Sequence, residues 1–230
     1  MTEPGGRPSA RACALCGAAC RVPFVPPPAE TAPDLDLRPG EPTRSTLPRW
    51  LQTCRGCGAC APDLARLAPA AKPIVASADY KAATGPARAF LRWAMIAEAT
   101  LEPDEAGQAM LEAAWALDDA GVDATALRRR AAALWQRPAT MQDSLRLVDV
   151  LRRAGEFDAA AARASALLAA PGLDETDAAI LHYQQDRITE HDTARHLLSS
   201  ALRPPAQRPH VTHGQAKPPA RGLWQRLTGR

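Results

Sequence analysis

The chain has 230 residues, of which 46% are hydrophobic, only 4% are aromatic and 22 are proline. With alanine supplying much of the apolar content, this balance suits closely packed helices and argues against a β-sandwich. The net charge of +3 is small; no apolar run reaches the roughly 18 residues that a transmembrane helix needs.

Residues 1–10 contain glycine and proline and are expected to be disordered. The first chemical signal follows at Cys13-Ala-Leu-Cys16-Gly17, and it recurs at Cys54-Arg-Gly-Cys57-Gly58. A C-x-x-C turn aims two thiolates at a common point, and the glycine after it lets the backbone take positive φ so that amides turn back toward the sulfurs. Two such knuckles place four thiolates about 2.3 Å from one tetrahedral Zn²⁺. We therefore expect one structural zinc on Cys13, Cys16, Cys54 and Cys57, inside a small β zinc ribbon whose ion replaces a core too small to fold alone. Four thiolates leave no open position for catalysis. A single iron on the same sulfurs is an alternative. A thioredoxin-like pair needs a knuckle opening a helix beside a βαβ pattern, which neither does. A secreted disulfide framework needs a leader, and Met1 to Ala10 has no apolar segment, so reduced cysteines and a cytoplasmic location are expected.

Cys20 and Cys60 follow the knuckles. They read either as small buried hydrophobes or as thiols for alternative ligation and redox sensing. Val22 to Val25 is β-prone, and Trp50 to Thr53 leads into the second knuckle. Between them lie Pro33-Asp-Leu-Asp-Leu-Arg38-Pro39 and Arg44-Ser-Thr-Leu-Pro-Arg-Trp50. Asp34, Asp36, Arg38 and Arg44 are expected to pair across the ribbon with Trp50 capping its core. The functional reading of the same five is an exposed patch that anchors a partner.

Residues 63–86, with Pro69, Pro73, Gly85 and Pro86, read as a linker carrying one short helix at its start. From about 87 the apolar period becomes 3.6. Phe90, Trp93, Ala94, Ala97 and Leu101 line a first helix. Pro103 opens a second with Ala106, Met110, Ala113, Leu117 and Ala120, closed by Gly121. Asp123 caps a third with Leu127, Ala131 and Leu134. Thr140-Met-Gln-Asp143 resembles a capping box for a fourth with Leu145, Val148 and Leu151. A fifth runs from Phe157 to Ala170 with Ala160, Ala164 and Leu167. Asp174 opens a sixth with Ile180 and Leu181, and Thr189 to Asp192 starts a last one with Ala194 and Leu197. Leu147 to Gly172 alternates small and large apolar positions around Gly155 as a TPR hairpin does, without the TPR tryptophan and tyrosine. An ordinary helical bundle is the alternative.

The tail from Arg203 carries Arg208, Lys217, Arg221, Arg226 and Arg230 with no acidic residue, so the rest of the chain is net negative. Its composition is that of disorder. Leu223, Trp224 and Leu227 share one side of a helical turn, a weak candidate for a partner or membrane-surface contact. The division expected is 1–76 zinc ribbon with linker, 77–202 TPR-like helices, and 203–230 basic tail.

The paired CxxCG knuckles, the Asp34-Leu-Asp36 segment with Arg38-Pro39, the Arg44-Ser-Thr-x-Pro-x-Trp50 segment and the following helices resemble a bacterial family known only as a domain of unknown function. The resemblance covers roughly residues 11–170. It implies a zinc site and TPR-like helices, and it implies no activity. Arg55 stands where such knuckles often carry proline.

No phosphate loop, dinucleotide fingerprint, H-E-x-x-H or G-x-S-x-G motif occurs, and His182, His191 and His196 do not share one helical face. The expectation is a non-enzymatic, zinc-binding interaction module that meets a protein partner through its helices. Two other readings are a thiol-based redox or metal sensor, and a nucleic-acid-binding ribbon that needs Arg38, Arg44, Arg49 and Arg55 on one face. Nucleic acid is disfavoured by the negative charge of the folded part.

Overall fold

The computed structural model describes residues 11–202. The expectations for residues 1–10 and for the tail 203–230 lie outside them. Two 3₁₀ helices, Arg44–Arg49 and Leu64–Arg66, flank a minimal antiparallel sheet of β1 (Gln52–Thr53) and β2 (Cys60–Ala61). Nine α-helices follow among the described residues: α1 (Ala71–Ala76), α2 (Ala78–Ala82), α3 (Arg88–Thr100), α4 (Pro103–Asp119), α5 (Thr125–Leu134), α6 (Met141–Arg153), α7 (Phe157–Leu168), α8 (Glu175–Thr189) and α9 (Leu198–Ala201). The protein is mainly helical, and none of these helices is long and apolar enough to cross a membrane.

The helix starts follow local chemistry. Pro103 needs no amide partner at the first turn of α4, and Asp104 and Glu105 complement the positive end of its dipole. Thr140 Oγ1 accepts from the Asp143 amide at 3.1 Å to open α6. Asp174 Oδ1 accepts from the Asp177 amide at 2.7 Å to open α8. From α3 to α8 each helix packs on its sequence neighbour, and α6 also touches α8. Ala160 and Ala164 of α7, both fully buried, let the α6, α7 and α8 axes approach closely.

Three apolar clusters share these elements. One joins α3, α4, α5 and α6 and takes in Leu47 and Leu51 from before the second knuckle. A second joins the knuckles to α1, α2 and Ile96 of α3. The third joins α6, α7, α8 and α9 and takes in Leu35. The stretch 63–86, read as a linker, thus carries the second 3₁₀ helix, α1 and α2, and it buries Ala71, Val75 and Tyr80 against the knuckles.

Of the pairing expected within the segment between the knuckles, Arg44 with Asp34 forms, while Asp36 and Arg38 turn elsewhere. The segment reaches into the helices. Asp36, fully buried, accepts from Trp115 Nε1 of α4 at 3.0 Å and from Arg153 Nη1 of α6 at 2.7 Å. Arg153 also reaches Asp118 at 2.8 Å, and Arg128 of α5 joins the same carboxylate. Arg38, also buried, donates to Asp119 at 2.5 Å. Arg44 Nη2 lies 2.7 Å from Asp34 Oδ2 in an ion-pair contact that lacks hydrogen-bond alignment. Burial raises the Asp34 pKa, against the pull of Arg44. With Asp34, Asp36 and Arg38 enclosed, the five residues do not form an exposed patch. Trp50 leans on the α3–α6 cluster instead of capping a ribbon core, its Nε1 donating to Thr46 Oγ1 at 2.9 Å.

The last expected helix is also corrected. After α8 the chain takes positive φ at His191 and runs irregularly to Leu197, leaving only the one-turn α9. The carbonyls that a helix would use are taken elsewhere. Arg152 donates to the Asp192 and Ala194 oxygens, and the Leu35 amide donates to the His196 oxygen at 3.0 Å. Asp34 and Leu197 form an antiparallel bridge.

Removing Asp36 takes one of two carboxylates from buried Arg153, which keeps Asp118, and leaves the Trp115 indole without an acceptor, a change that costs about 1–3 kcal/mol for buried groups that lose a hydrogen-bond partner. Asp36→Ala is therefore expected to lower stability by that amount in urea unfolding followed by tryptophan fluorescence, with little relief from added salt. A loss below about 1 kcal/mol would show that the pair does not hold the segment in place.

Candidate metal centre

Each knuckle is the tip of a very small hairpin. In the first, the Cys13 amide donates to the Ala18 oxygen and the Gly17 amide to the Cys13 oxygen, both at 2.8 Å, while Ala12 and Ala19 pair as an antiparallel bridge. The second repeats the pattern: Cys54 amide to Ala59 oxygen at 2.8 Å and Gly58 amide to Cys54 oxygen at 3.0 Å, with Thr53 facing Cys60 across the strands. Gly17 and Gly58 have φ of 75° and 76°. A side chain would meet no atom within 4 Å at either, so backbone conformation alone calls for glycine there. At Gly56 space decides: a Cβ would lie 2.9 Å from Ala18 Cβ and 3.0 Å from Cys16 Sγ of the opposite knuckle.

The two hairpins bring the sulfurs of Cys13, Cys16, Cys54 and Cys57 within 4.8 Å of one another. The close contacts run between knuckles, Cys13 to Cys57 at 3.9 Å and Cys16 to Cys54 at 3.5 Å. Sulfurs at the corners of a tetrahedron, each about 2.3 Å from a central ion, lie about 3.8 Å apart. The two distances straddle that value and are far from the roughly 2.05 Å of a disulfide. All six cysteines are free thiols. Cys13 and Cys54 are buried on the helical side, while Cys16 is exposed.

The thiols do not ionise alike. Burial raises the Cys54 pKa, but amide donors at Cys57 and Gly56 and the neighbouring thiols outweigh it and bring it down to about 7. Burial pushes Cys57 up to about 12, and the Cys54, Cys16 and Cys13 sulfurs reinforce the rise. Cys13 is raised as well, chiefly by burial. A cation between the knuckles would offset the rise at Cys57 and Cys13 by stabilising their thiolates. The four residues together are a soft donor set able to hold one metal ion.

Tyr80 of α2 completes the second knuckle. Its hydroxyl accepts from the Cys60 amide at 2.9 Å and donates to the Gly58 oxygen at 3.2 Å. The ring is 2% exposed, and Arg92 stacks over it with its Cζ 5.1 Å from the centroid. Burial, with the Cys60 thiol, raises the phenol pKa and keeps it neutral. Sequence reasoning missed this residue because it sits among alanines in a proline-interrupted stretch.

The remaining candidates separate. Cys60 is buried beside Thr53 Oγ1 at 3.4 Å, whereas Cys20 is half-buried on the wall of a cavity of about 560 Å³ that Arg21 and Arg55 also line. The arginine face required for a nucleic-acid ribbon is not assembled: Arg38 is internal and Arg44 faces Asp34, leaving Arg49 and Arg55 exposed. His191 packs edge-on against Phe157, and His196 contacts Tyr183 and Asp192. No family model matches this chain, and neither a curated protein nor a solved structure does.

Tyr80→Phe removes one hydroxyl and leaves the buried Cys60 amide and Gly58 carbonyl short of a partner. It is expected to cost about 1–3 kcal/mol and to speed transfer of the bound metal to a chromogenic chelator. An unchanged transfer rate would mean that α2 does not brace the knuckle.

Proposed function

We propose that Cys13, Cys16, Cys54 and Cys57 bind one Zn²⁺ as a closed structural site in a small zinc ribbon, and that the protein is a non-catalytic interaction module. In this reading the ribbon is fixed to a TPR-like helical array that meets a protein partner. The observation that carries it is the pair of cross-knuckle sulfur distances, 3.5 and 3.9 Å, which suit tetrahedral thiolate coordination. Zinc suits four thiolates with no vacant position and no redox role. The TPR-like part draws support from the α6–α7 hairpin, turning at Gly155 with Phe157 opening the second helix and Ala160 at the contact. The face shared by α4 and α6 already holds the chain's own Asp36 and Arg38, so a partner would meet the outer helices.

One observation favours a second reading, a thiol-based sensor: Cys20 is accessible from the cavity beside the first knuckle. It requires mild peroxide to release the metal from the wild type and not from Cys20→Ser.

Native mass spectrometry of protein purified without added metal tests the main reading. One zinc per chain, absent from Cys54→Ser, is the expected result. Iron, or no metal with disulfides between the knuckles, would overturn it.

A further inference from the structure

Residues 22–28 read Val-Pro-Phe-Val-Pro-Pro-Pro. The β-prone expectation for Val22 to Val25 fails here, since Pro23 and Pro26 supply no amide donor and the segment joins no strand. Every position except Phe24 is a proline or precedes one, which fixes φ or confines the backbone to extended geometry. Among the described residues, no backbone group of 22–28 bonds to other backbone. These are the marks of a polyproline II segment, a left-handed helix of three residues per turn.

Exposure follows that period. Val22 and Val25 are 74% and 82% exposed, the highest values among the exposed large hydrophobics, and Pro28 is exposed too. The intervening Pro23, Phe24, Pro26 and Pro27 are half-buried. Residues at i, i+3 and i+6 of a polyproline II helix lie on one edge, about 9 Å apart. The inner side is tethered at three points. The Arg21 amide donates to Gln52 Oε1 at 3.0 Å, Arg49 stacks on Phe24 at 4.1 Å, and Thr43 Oγ1 donates to the Pro27 oxygen at 2.7 Å. The ridge is therefore tethered to the fold before any partner arrives, which removes part of the ordering cost. Arg21 and Arg49 line one surface depression with Val22 and Val25, and Arg55 lies in the adjoining one. Among the described residues none of these three arginines takes part in an ion pair.

We infer that the Val22–Pro28 ridge is a recognition element for a protein domain that reads polyproline II ligands, one with an aromatic-lined groove for Val22, Val25 and Pro28 and acidic side chains for Arg21 and Arg49. Aromatic grooves accept such ridges because the ligand is already extended, and here every carbonyl but that of Pro27 is left without an intramolecular hydrogen bond among the described residues. A single-stranded nucleic acid is disfavoured, since the one aromatic ring of the segment, Phe24, is covered by Arg49 and offers no stacking face. An anionic membrane is disfavoured because the ridge presents two valines and a proline rather than the broad apolar face of an interfacial helix. This surface lies on the knuckle side of the molecule, so it goes beyond the helical contact proposed above, and either can fail alone.

The test titrates the full-length, metal-loaded, ¹⁵N-labelled protein with purified SH3, WW and EVH1 domains, with anionic phosphatidylserine vesicles and with single-stranded RNA. The expected result is binding by at least one of the three domains, with the largest shifts at Val22, Phe24 and Val25. Val22→Ser with Val25→Ser, and separately Arg21→Glu, should each weaken that binding about tenfold or more. Both substitutions are on exposed side chains, and metal content measured in parallel separates loss of the ridge from loss of the zinc centre. The inference is overturned if no domain shifts the ridge, if the variants bind as the wild type does, or if only vesicles or RNA bind there.

Discussion

Four sulfurs within 4.8 Å oblige residues 17–53 to leave one point and return to it. Closing a loop of that length costs about 4 kcal/mol of chain entropy in the simplest treatment. Metal binding to a structural thiolate site is worth about 10–16 kcal/mol at neutral pH, so it can meet that cost and fold the hairpins as well. Neither hairpin has the length to stand alone: each is a turn with one or two bridging pairs. The apolar support comes from outside, through Leu64, Leu67, Ala71, Val75, Tyr80 and Ile96. The knuckles are thus the edge of a larger core.

The closed loop carries that constraint into the helices. Its middle places Leu35 among α6, α7 and α8, and Asp36 between Trp115 of α4 and Arg153 of α6. Burying so many charges is costly in itself, and well-packed apolar groups would serve stability equally well. What the ionic set provides is position. Asp36 satisfies an indole and a guanidinium on different helices, and Arg153 bridges onward to Asp118. A loop shifted by one residue would put Leu35 or Leu37 opposite Arg153, leaving the guanidinium with Asp118 alone and the Trp115 indole without its acceptor. The same logic governs residues 190–197, where Arg152 takes two carbonyls and ends regular helix.

Much of this was legible in the chain. The cysteine spacing identified the four sulfurs that the fold brings together, because a C-x-x-C-G turn is a local motif whose geometry needs no distant contact. The helix starts at Thr140 and Asp174 were legible for the same reason, since their capping partners lie three residues on, and Pro103 was legible from its fixed φ alone. What escaped was set by distance. Asp36 meets Trp115 and Arg153, which are 79 and 117 positions away, and no spacing within its own segment announces them. Tyr80 meets Cys60 across 20 positions from a stretch whose prolines suggested a connector. Val22 to Val25 misled because valine favours strands, whereas the prolines beside it remove the donors that a strand requires. Thr189 to Leu197 misled because its apolar spacing permits a helix that Arg152 and the Leu35 amide pre-empt.

The central claim is that the metal centre holds the segment between the knuckles in the helical array. Amide hydrogen exchange on the full chain, before and after stripping the metal with a chelator, tests it most directly. The account predicts faster exchange in both hairpins, at Leu35 and Leu37, and also in α4 and α6 where Trp115 and Arg153 lose their shared carboxylate. Faster exchange confined to residues 11–20 and 52–61, with α4 and α6 unchanged, would contradict it.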